Sequence, residues 1–281
     1  MRPRHWVKNG FVLAPLVFRL PAVEPVEVLL AFAAAAAFSL VSSAVYALND
    51  VVDRDDDRRS PARRHRPVAS GEVTVAAAVV AAAACALAAA GLSVLLPWRV
   101  GAALAGYALL NLAYSLRLKR IVLIDVLAIA AGFMLRVFAG AAALGVTVTS
   151  WMTLTTFFVS LFLGFSKRRS EFVAAGGKAA RPVLAEYTAP LLDILIVMSV
   201  AITIVTYSLY VIQAAAGRGS SAGLLVYTVP LVVYGLLRYL YLVMTRGKGG
   251  DVAEVLMRDV PLVATVAVWG VAVVIVLVVS A

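Results

Sequence analysis

The 281 residues are 63% hydrophobic and only 14% charged, against roughly 45–50% and 25% in ordinary soluble domains, which excludes a water-soluble globular domain. Long runs rich in Ala, Leu and Val, without the short alternating segments of a membrane barrel, make spanning helices the reading. The net charge of +10 alone could suggest a nucleic-acid partner, but the placement of the charge gives it another cause.

Nine apolar runs are predicted as spans, near 5–20, 24–50, 74–97, 100–117, 120–145, 150–166, 184–213, 222–245 and 258–280. The first follows Arg2, Arg4 and Lys8 and superficially looks like a signal peptide. Pro15 and Arg19 interrupt it and Ala22 lacks a small-x-small cleavage pattern, so a retained helix is expected. Trp6 is an expected interfacial anchor there, with Lys8 and Asn9 at the mouth of the run.

The second run ends in Asn49-Asp50-Val51-Val52-Asp53-Arg54-Asp55-Asp56-Asp57, which holds five of the fifteen acidic residues. On a continuing helix Asp50, Asp53 and Asp57 stand at i, i+3 and i+7, within one narrow arc, with Asn49 beside them. Like charges so close repel unless a cation neutralises them, and hard oxygen ligands that leave places for water and phosphate suit Mg²⁺ bridged to a diphosphate. The competing reading is a solvated acidic helix end, which would not require the spacing to start inside an apolar run. Arg58, Arg59, Arg63, Arg64 and Arg66 follow in a loop rich in Pro, Ser and Gly. Arginine forks there could take the phosphate oxygens that a metal leaves uncovered, or could simply anchor the loop on its side of the membrane.

The third run contains Cys85, the single cysteine, so no intrachain disulfide exists. After the fourth run come Tyr114, Ser115, Arg117, Lys119 and Arg120, and the fifth run carries Asp125 and Arg136. Ionisable groups inside a span cost several kcal/mol unless they face a partner or a wet cavity. Eleven residues separate these two, about three turns and roughly 16 Å along one face, so they are expected to meet neighbouring helices or a ligand rather than each other. Lys167-Arg168-Arg169-Ser170-Glu171 closes the sixth run, where a local Lys167–Glu171 bridge is the plain alternative to a ligand role. His5 and His65 are too far apart and unsupported to suggest zinc.

Alternate connections divide the basic residues unevenly. Arg2, Arg4, Lys8, Arg54, Arg58, Arg59, Arg63, Arg64, Arg66, Arg117, Lys119, Arg120, Lys167, Arg168, Arg169, Lys178, Arg181, Arg246, Lys248 and Arg258 fall on one side, 20 against the 3 of Arg19, Arg99 and Arg218. The positive-inside rule predicts that the rich side is cytoplasmic, which accounts for the net charge and removes the need for a nucleic-acid role.

Asn49, Asp50, Asp53 and Asp57 resemble the first aspartate motif of the UbiA superfamily of intramembrane prenyltransferases, whose nine-helix fold matches the span count. That resemblance implies an all-α integral membrane protein, one transmembrane domain over 1–281, with nine helices around a central cavity open to the cytoplasmic side of a bacterial plasma membrane. Most members carry a second motif, Asp-x-x-x-Asp, after the sixth span, where this chain has Lys167-Arg168-Arg169-Ser170-Glu171.

Other segments are similar to the decaprenyl-phosphate phosphoribosyltransferase branch. They include Arg2-Pro3 through Asn9, Tyr114-Ser115 with Lys119, Asp125, Gly132-Phe133 with Leu135-Arg136, Ala139-Gly140 and Lys167-Arg168 with Glu171. Glu186-Tyr187-Thr188, Leu237-Arg238-Tyr239 and Gly249-Gly250-Asp251 through Arg258-Asp259 continue the match. The branch implies phosphoribosyl pyrophosphate as donor, a polyprenyl phosphate as acceptor, and a product that feeds arabinose donors into cell-wall arabinogalactan. A trimer is an expectation of the family only.

The expected metal set is Asn49, Asp50, Asp53 and Asp57 around Mg²⁺, with Asp50 and Asp53 catalytic through it. The expected substrate contacts are Lys8, Asn9, Arg58, Arg64, Arg66, Tyr114, Lys119, Asp125, Arg136, Lys167, Arg168, Glu171 and Tyr187. The implied reaction is substitution at the ribose anomeric carbon through an oxocarbenium-like transition state, with pyrophosphate as leaving group. A lipid phosphate is already an anion, so positioning should dominate and no catalytic base is assigned. Two rivals stay open: an aromatic prenyltransferase of the same superfamily with a prenyl diphosphate donor, and a transporter that uses Asp125 and Arg136 along its path.

Overall fold

The computed structural model describes residues 3–20, 22–59, 64–174, 182–216, 220–246, 255 and 258–279. Among these there is no strand. A 3-10 segment, Pro3–Leu13, leads into α1 (Ala14–Arg19). Then follow α2 (Pro25–Val52), the short α3 (Arg54–Arg59) and α4 (Pro67–Ser70), α5 (Val75–Val94) and α6 (Trp98–Leu116). The rest is α7 (Ile124–Ala143), α8 (Ser150–Ala174), α9 (Ala189–Ala216), α10 (Val229–Arg246) and α11 (Val260–Val279). Further 3-10 segments, Leu118–Arg120, Pro182–Glu186 and Ser220–Thr228, precede α7, α9 and α10.

The long helices start where local chemistry lets them. At α2, Pro25 takes the first helical position and Glu24 and Glu27 form a reciprocal capping box, so orphan backbone donors are met before the apolar run begins. At α5, Thr74 accepts a hydrogen bond from the Ala77 amide. The 28 residues of α2 rise about 42 Å, longer than a hydrocarbon core of about 30 Å, so its acidic end extends into the polar interface.

Among the described residues six segments are long and apolar enough to cross a bilayer: Pro25–Val52, Val75–Val94, Ile124–Ala143, Ala189–Ala214, Gly223–Thr245 and Val260–Val279. The three other expected spans are helical but fall short of that standard. The first is divided between the 3-10 segment and the six-residue α1. α6 carries Tyr107, Asn111, Tyr114 and Ser115, and α8 continues into Lys167, Arg168 and Arg169. What they lack in hydropathy is spent on polar side chains that the site uses.

Two close approaches set the framework. A Cβ on Gly140 would lie 1.9 Å from the Val12 carbonyl oxygen, so only glycine lets the N-terminal 3-10 segment lie against α7. A Cβ on Gly164 would lie 2.6 Å from Val126 Cγ1, which brings α8 tight against α7. Val12, Phe38, Tyr107 and Ala139 form the core on one side of α7, and Val126, Phe162, Phe165 and Tyr187 the core on the other. α7 is thus buried on both sides, as a central helix that carries two charged groups must be.

Candidate active site

Polar residues at 39, 42, 46 and 49 on α2, continued by Asp53 just past its end, form a stripe at heptad-like spacing that leads to the acidic end. Across from it on α6, Tyr107, Asn111 and Tyr114 repeat at i, i+4 and i+7. Tyr46, Asn49, Tyr107, Asn111 and Tyr114 line a cavity of about 180 Å³ together with Lys8, Gly132, Phe133, Arg136 and Lys167. Sequence reasoning missed Tyr46, Tyr107, Asn111 and Ser42, although the stripe itself was there to be read.

The acidic cluster stands at the C-terminal end of α2. Hydrogen bonds from the Asp53 amide to the Asn49 carbonyl and from the Asp57 amide to the Asp53 carbonyl, both 2.8 Å, carry helical register through the junction with α3. Asp57 is fully buried and Asp50 buried, whereas Asp55 and Asp56 are exposed. Arg66 Nη1 lies 2.6 Å from Asp57 Oδ2 and 3.4 Å from Asp50 Oδ1. Asp53 instead accepts from Lys119 Nζ at 2.9 Å, so the three aspartates of the expected arc are divided between two cations. Ser115 donates to Asn49 Oδ1 at 2.6 Å, which ties α6 to the same point. Arg58 donates to the Ala69 carbonyl and pins α3 to α4, Arg64 is exposed, and Arg63 lies outside the described residues.

Among the described residues no three Asp, Glu, His or Cys side chains converge as a ready-made metal cage. Asp50 and Asp57 do converge on one cationic nitrogen. Two carboxylates on a shared cation position are what Mg²⁺ requires of a protein when water and phosphate oxygens supply the rest, so the residues fit that ion.

Asp125 and Arg136 do not pair with each other. Asp125 lies in a buried cluster where Arg168 donates from Nε to Asp125 Oδ2 at 2.6 Å, from Nη1 to Glu171 at 2.6 Å and from Nη2 to Tyr114 at 2.9 Å. Tyr187 donates to the other Asp125 oxygen at 2.8 Å and accepts the Leu123 amide at 2.8 Å. Burial pushes the Tyr187 pKa up, so the hydroxyl stays protonated and keeps its donor role. Leu123 has a positive φ of 66°, a conformation costly for a branched side chain and held here by that hydrogen bond. Arg168 and Asp125 are 1% and 0% exposed. Glu171 pairs with Arg168, and Lys167 lines the cavity.

Arg136, 5% exposed, differs. Its Nε donates to Asn9 Oδ1 at 2.8 Å, Nη1 to the Gly132 carbonyl at 2.8 Å and Nη2 to Tyr107 at 2.9 Å. Its guanidinium carbon lies 4.5, 5.4 and 5.8 Å from the ring centres of Tyr107, Phe133 and Phe38. These described partners are neutral, so dipoles and aromatic faces hold a positive charge at the cavity wall.

The structure therefore brings Lys8, Asn49, Tyr114, Arg136 and Lys167 to one cavity, with Asp50, Asp53, Asp57, Arg66 and Lys119 around its mouth through Asn49 and α6. Asn9 stands behind Arg136, and Asp125, Arg168, Glu171 and Tyr187 form a scaffold that reaches the cavity through Tyr114.

The profile of the UbiA prenyltransferase family matches residues 10–258. The chain belongs to that family. Within it, the chain is 32% identical over 280 residues to decaprenyl-phosphate phosphoribosyltransferase of Corynebacterium glutamicum, covering 96% of this chain and 82% of the relative. It is 31% identical over 266 residues to the protein of the same name from Mycobacterium tuberculosis, covering 92% and 86%. The UbiA fold is shared with a UbiA homolog from Archaeoglobus fulgidus solved with GPP and Mg²⁺ bound, with a TM-score of 0.73 at 18% identity over 98% of this chain and 97% of that one.

Proposed function

We propose that this membrane protein transfers 5-phosphoribose from phosphoribosyl pyrophosphate to a polyprenyl phosphate such as decaprenyl phosphate, releasing pyrophosphate. The observation that carries the reading is the near full-length identity to two phosphoribosyltransferases of that name. The geometry supports it. The segment after the sixth span offers Lys167 to the cavity and buries Arg168, where a second aspartate motif would bring more carboxylate. Cations outweigh acids on the cavity wall, as three phosphate-bearing groups require.

In the reaction the bond from the ribose anomeric carbon to the pyrophosphate oxygen breaks, its electron pair leaving with pyrophosphate, and a bond to a lipid phosphate oxygen forms. No proton need move. Arg66 and Lys119 are placed to take diphosphate oxygens once these compete with the aspartates, and Lys8, Lys167 and Arg136 to hold the remaining phosphates. Asn49, Asp50, Asp53 and Asp57 would hold Mg²⁺, which when bound supplies positive charge against the departing diphosphate. The Asn49 carbonyl oxygen can do so while it accepts from Ser115, because it has two lone pairs.

The nine-span count, the cytoplasmic orientation and placement in a bacterial plasma membrane belong to this proposal. Support for them comes from the nine apolar runs of the sequence, the basic-residue imbalance and the bacterial relatives. The assay is transfer of labelled phosphoribose into chloroform-extractable lipid by purified protein. Product should form only with both decaprenyl phosphate and a divalent metal, and Asp50→Asn should lower the rate by about a hundredfold or more. Protein that leaves phosphoribosyl pyrophosphate untouched and prenylates an aromatic acid from a prenyl diphosphate would overturn the reading.

A further inference from the structure

The polar cavity is walled largely by groups that give hydrogen bonds rather than take them. Lys8, Lys167 and Arg136 line it, and ammonium and guanidinium groups have no acceptor to offer. Three of the oxygens that could accept are already engaged. Tyr107 takes Arg136 Nη2 at 2.9 Å and Ser42 at 3.3 Å, Tyr114 takes Arg168 Nη2 at 2.9 Å, and Asn49 Oδ1 takes Ser115 at 2.6 Å. Asn111 differs. It stands on α6 one turn from Tyr107 and one from Tyr114, and its Nδ2 donates to the Tyr107 carbonyl at 2.8 Å. A carbonyl can only accept, which decides which end of the amide is nitrogen, and Asn111 Oδ1 accepts from no described residue.

Such a wall suits phosphate oxygens except at Asn111 Oδ1, where an incoming group has to donate. Ionised phosphates accept and a prenyl chain does neither, so the donors that phosphoribosyl pyrophosphate brings are its ribose hydroxyls. Asn49, at the expected metal, lines the same cavity, and the 2-hydroxyl sits on the carbon next to the one that carries the diphosphate. Resting on the function proposed above, we infer that Asn111 is a specificity residue that reads the donor as a pentose, its Oδ1 accepting from the ribose 2-hydroxyl. A site built to meet a hydroxyl rejects the analogue that lacks it, because the buried acceptor is then left unpaired.

The test compares kcat/KM for phosphoribosyl pyrophosphate with that for its 2-deoxy analogue, in wild type, Asn111→Leu and Asn111→Thr. Loss of the 2-hydroxyl also makes the anomeric carbon intrinsically more reactive, but that factor is the same for each protein and cancels between them. The preference for the ribose donor should fall roughly tenfold in Asn111→Leu, which keeps the bulk and removes the acceptor. Asn111→Thr, whose hydroxyl can bond back to the Tyr107 carbonyl and still accept, should recover much of it. Both rates come from one preparation, so a loss of folded protein lowers them together and leaves the preference unmoved. A wild-type preference retained in Asn111→Leu overturns the inference, as does an equal loss in the leucine and threonine variants. Wild-type protein that transfers neither pentose refutes the donor assignment and the inference with it, whereas transfer with an unchanged preference refutes the inference alone.

Discussion

Two buried arginines on adjacent helices do different work. Arg168 on α8 lies between two carboxylates, Asp125 and Glu171, and is sealed from solvent. Arg136 on α7 is held by neutral dipoles and three aromatic rings, and lines the cavity. A charge compensated on the spot fixes helices to one another, whereas one left with neutral partners keeps its attraction for an anion that arrives later.

The largest expected effect breaks the first half of that contrast. Arg168→Met should leave Asp125 and Glu171 facing each other without a cation and cost about 3–5 kcal/mol of stability, read as a loss of detergent-stable folded protein. A folded variant with only a raised KM would show that Arg168 belongs to the ligand instead. Arg136→Met tests the other half. No carboxylate is stranded by it, so the unfolding temperature should move far less than in Arg168→Met, while kcat/KM for phosphoribose transfer should fall about a hundredfold. A large drop in stability with normal kinetics in the surviving protein would make Arg136 a structural pin. Tyr187→Phe is the mildest. It removes a donor to Asp125 and an acceptor for the Leu123 amide, so a loss of about 1–2 kcal/mol is expected with little kinetic change, measured by thermal unfolding at matched detergent concentration.

The sequence made this contrast visible only in part. Asp125 and Arg136 stood out because ionisable groups inside an apolar run are expensive, and their spacing correctly ruled out a mutual bridge. Their partners did not stand out. Arg168 lies 43 positions from Asp125 and Asn9 lies 127 from Arg136, and such pairings are decided by how α7 packs between its neighbours, which no local pattern encodes. The division of the aspartates between Arg66 and Lys119 was hidden for the same reason. The helical face of Asp50 and Asp57, against the exposed Asp55 and Asp56, was legible from spacing alone. The polar stripe on α2 was equally legible, but a serine or tyrosine in an alanine-rich run attracts less notice than a charge.

The pairing of Arg66 with Asp50 and Asp57, and of Lys119 with Asp53, carries a consequence for how the donor is captured. The resting mouth is close to electrically neutral within itself, so a metal-bound diphosphate does not fall into a bare positive well. It trades places: carboxylates pass from guanidinium and ammonium to the metal, and the released cations pass to phosphate oxygens. An exchange of partners conserves most of the local charge, so donor affinity should respond to ionic strength more weakly than the number of lysines and arginines around the mouth would suggest.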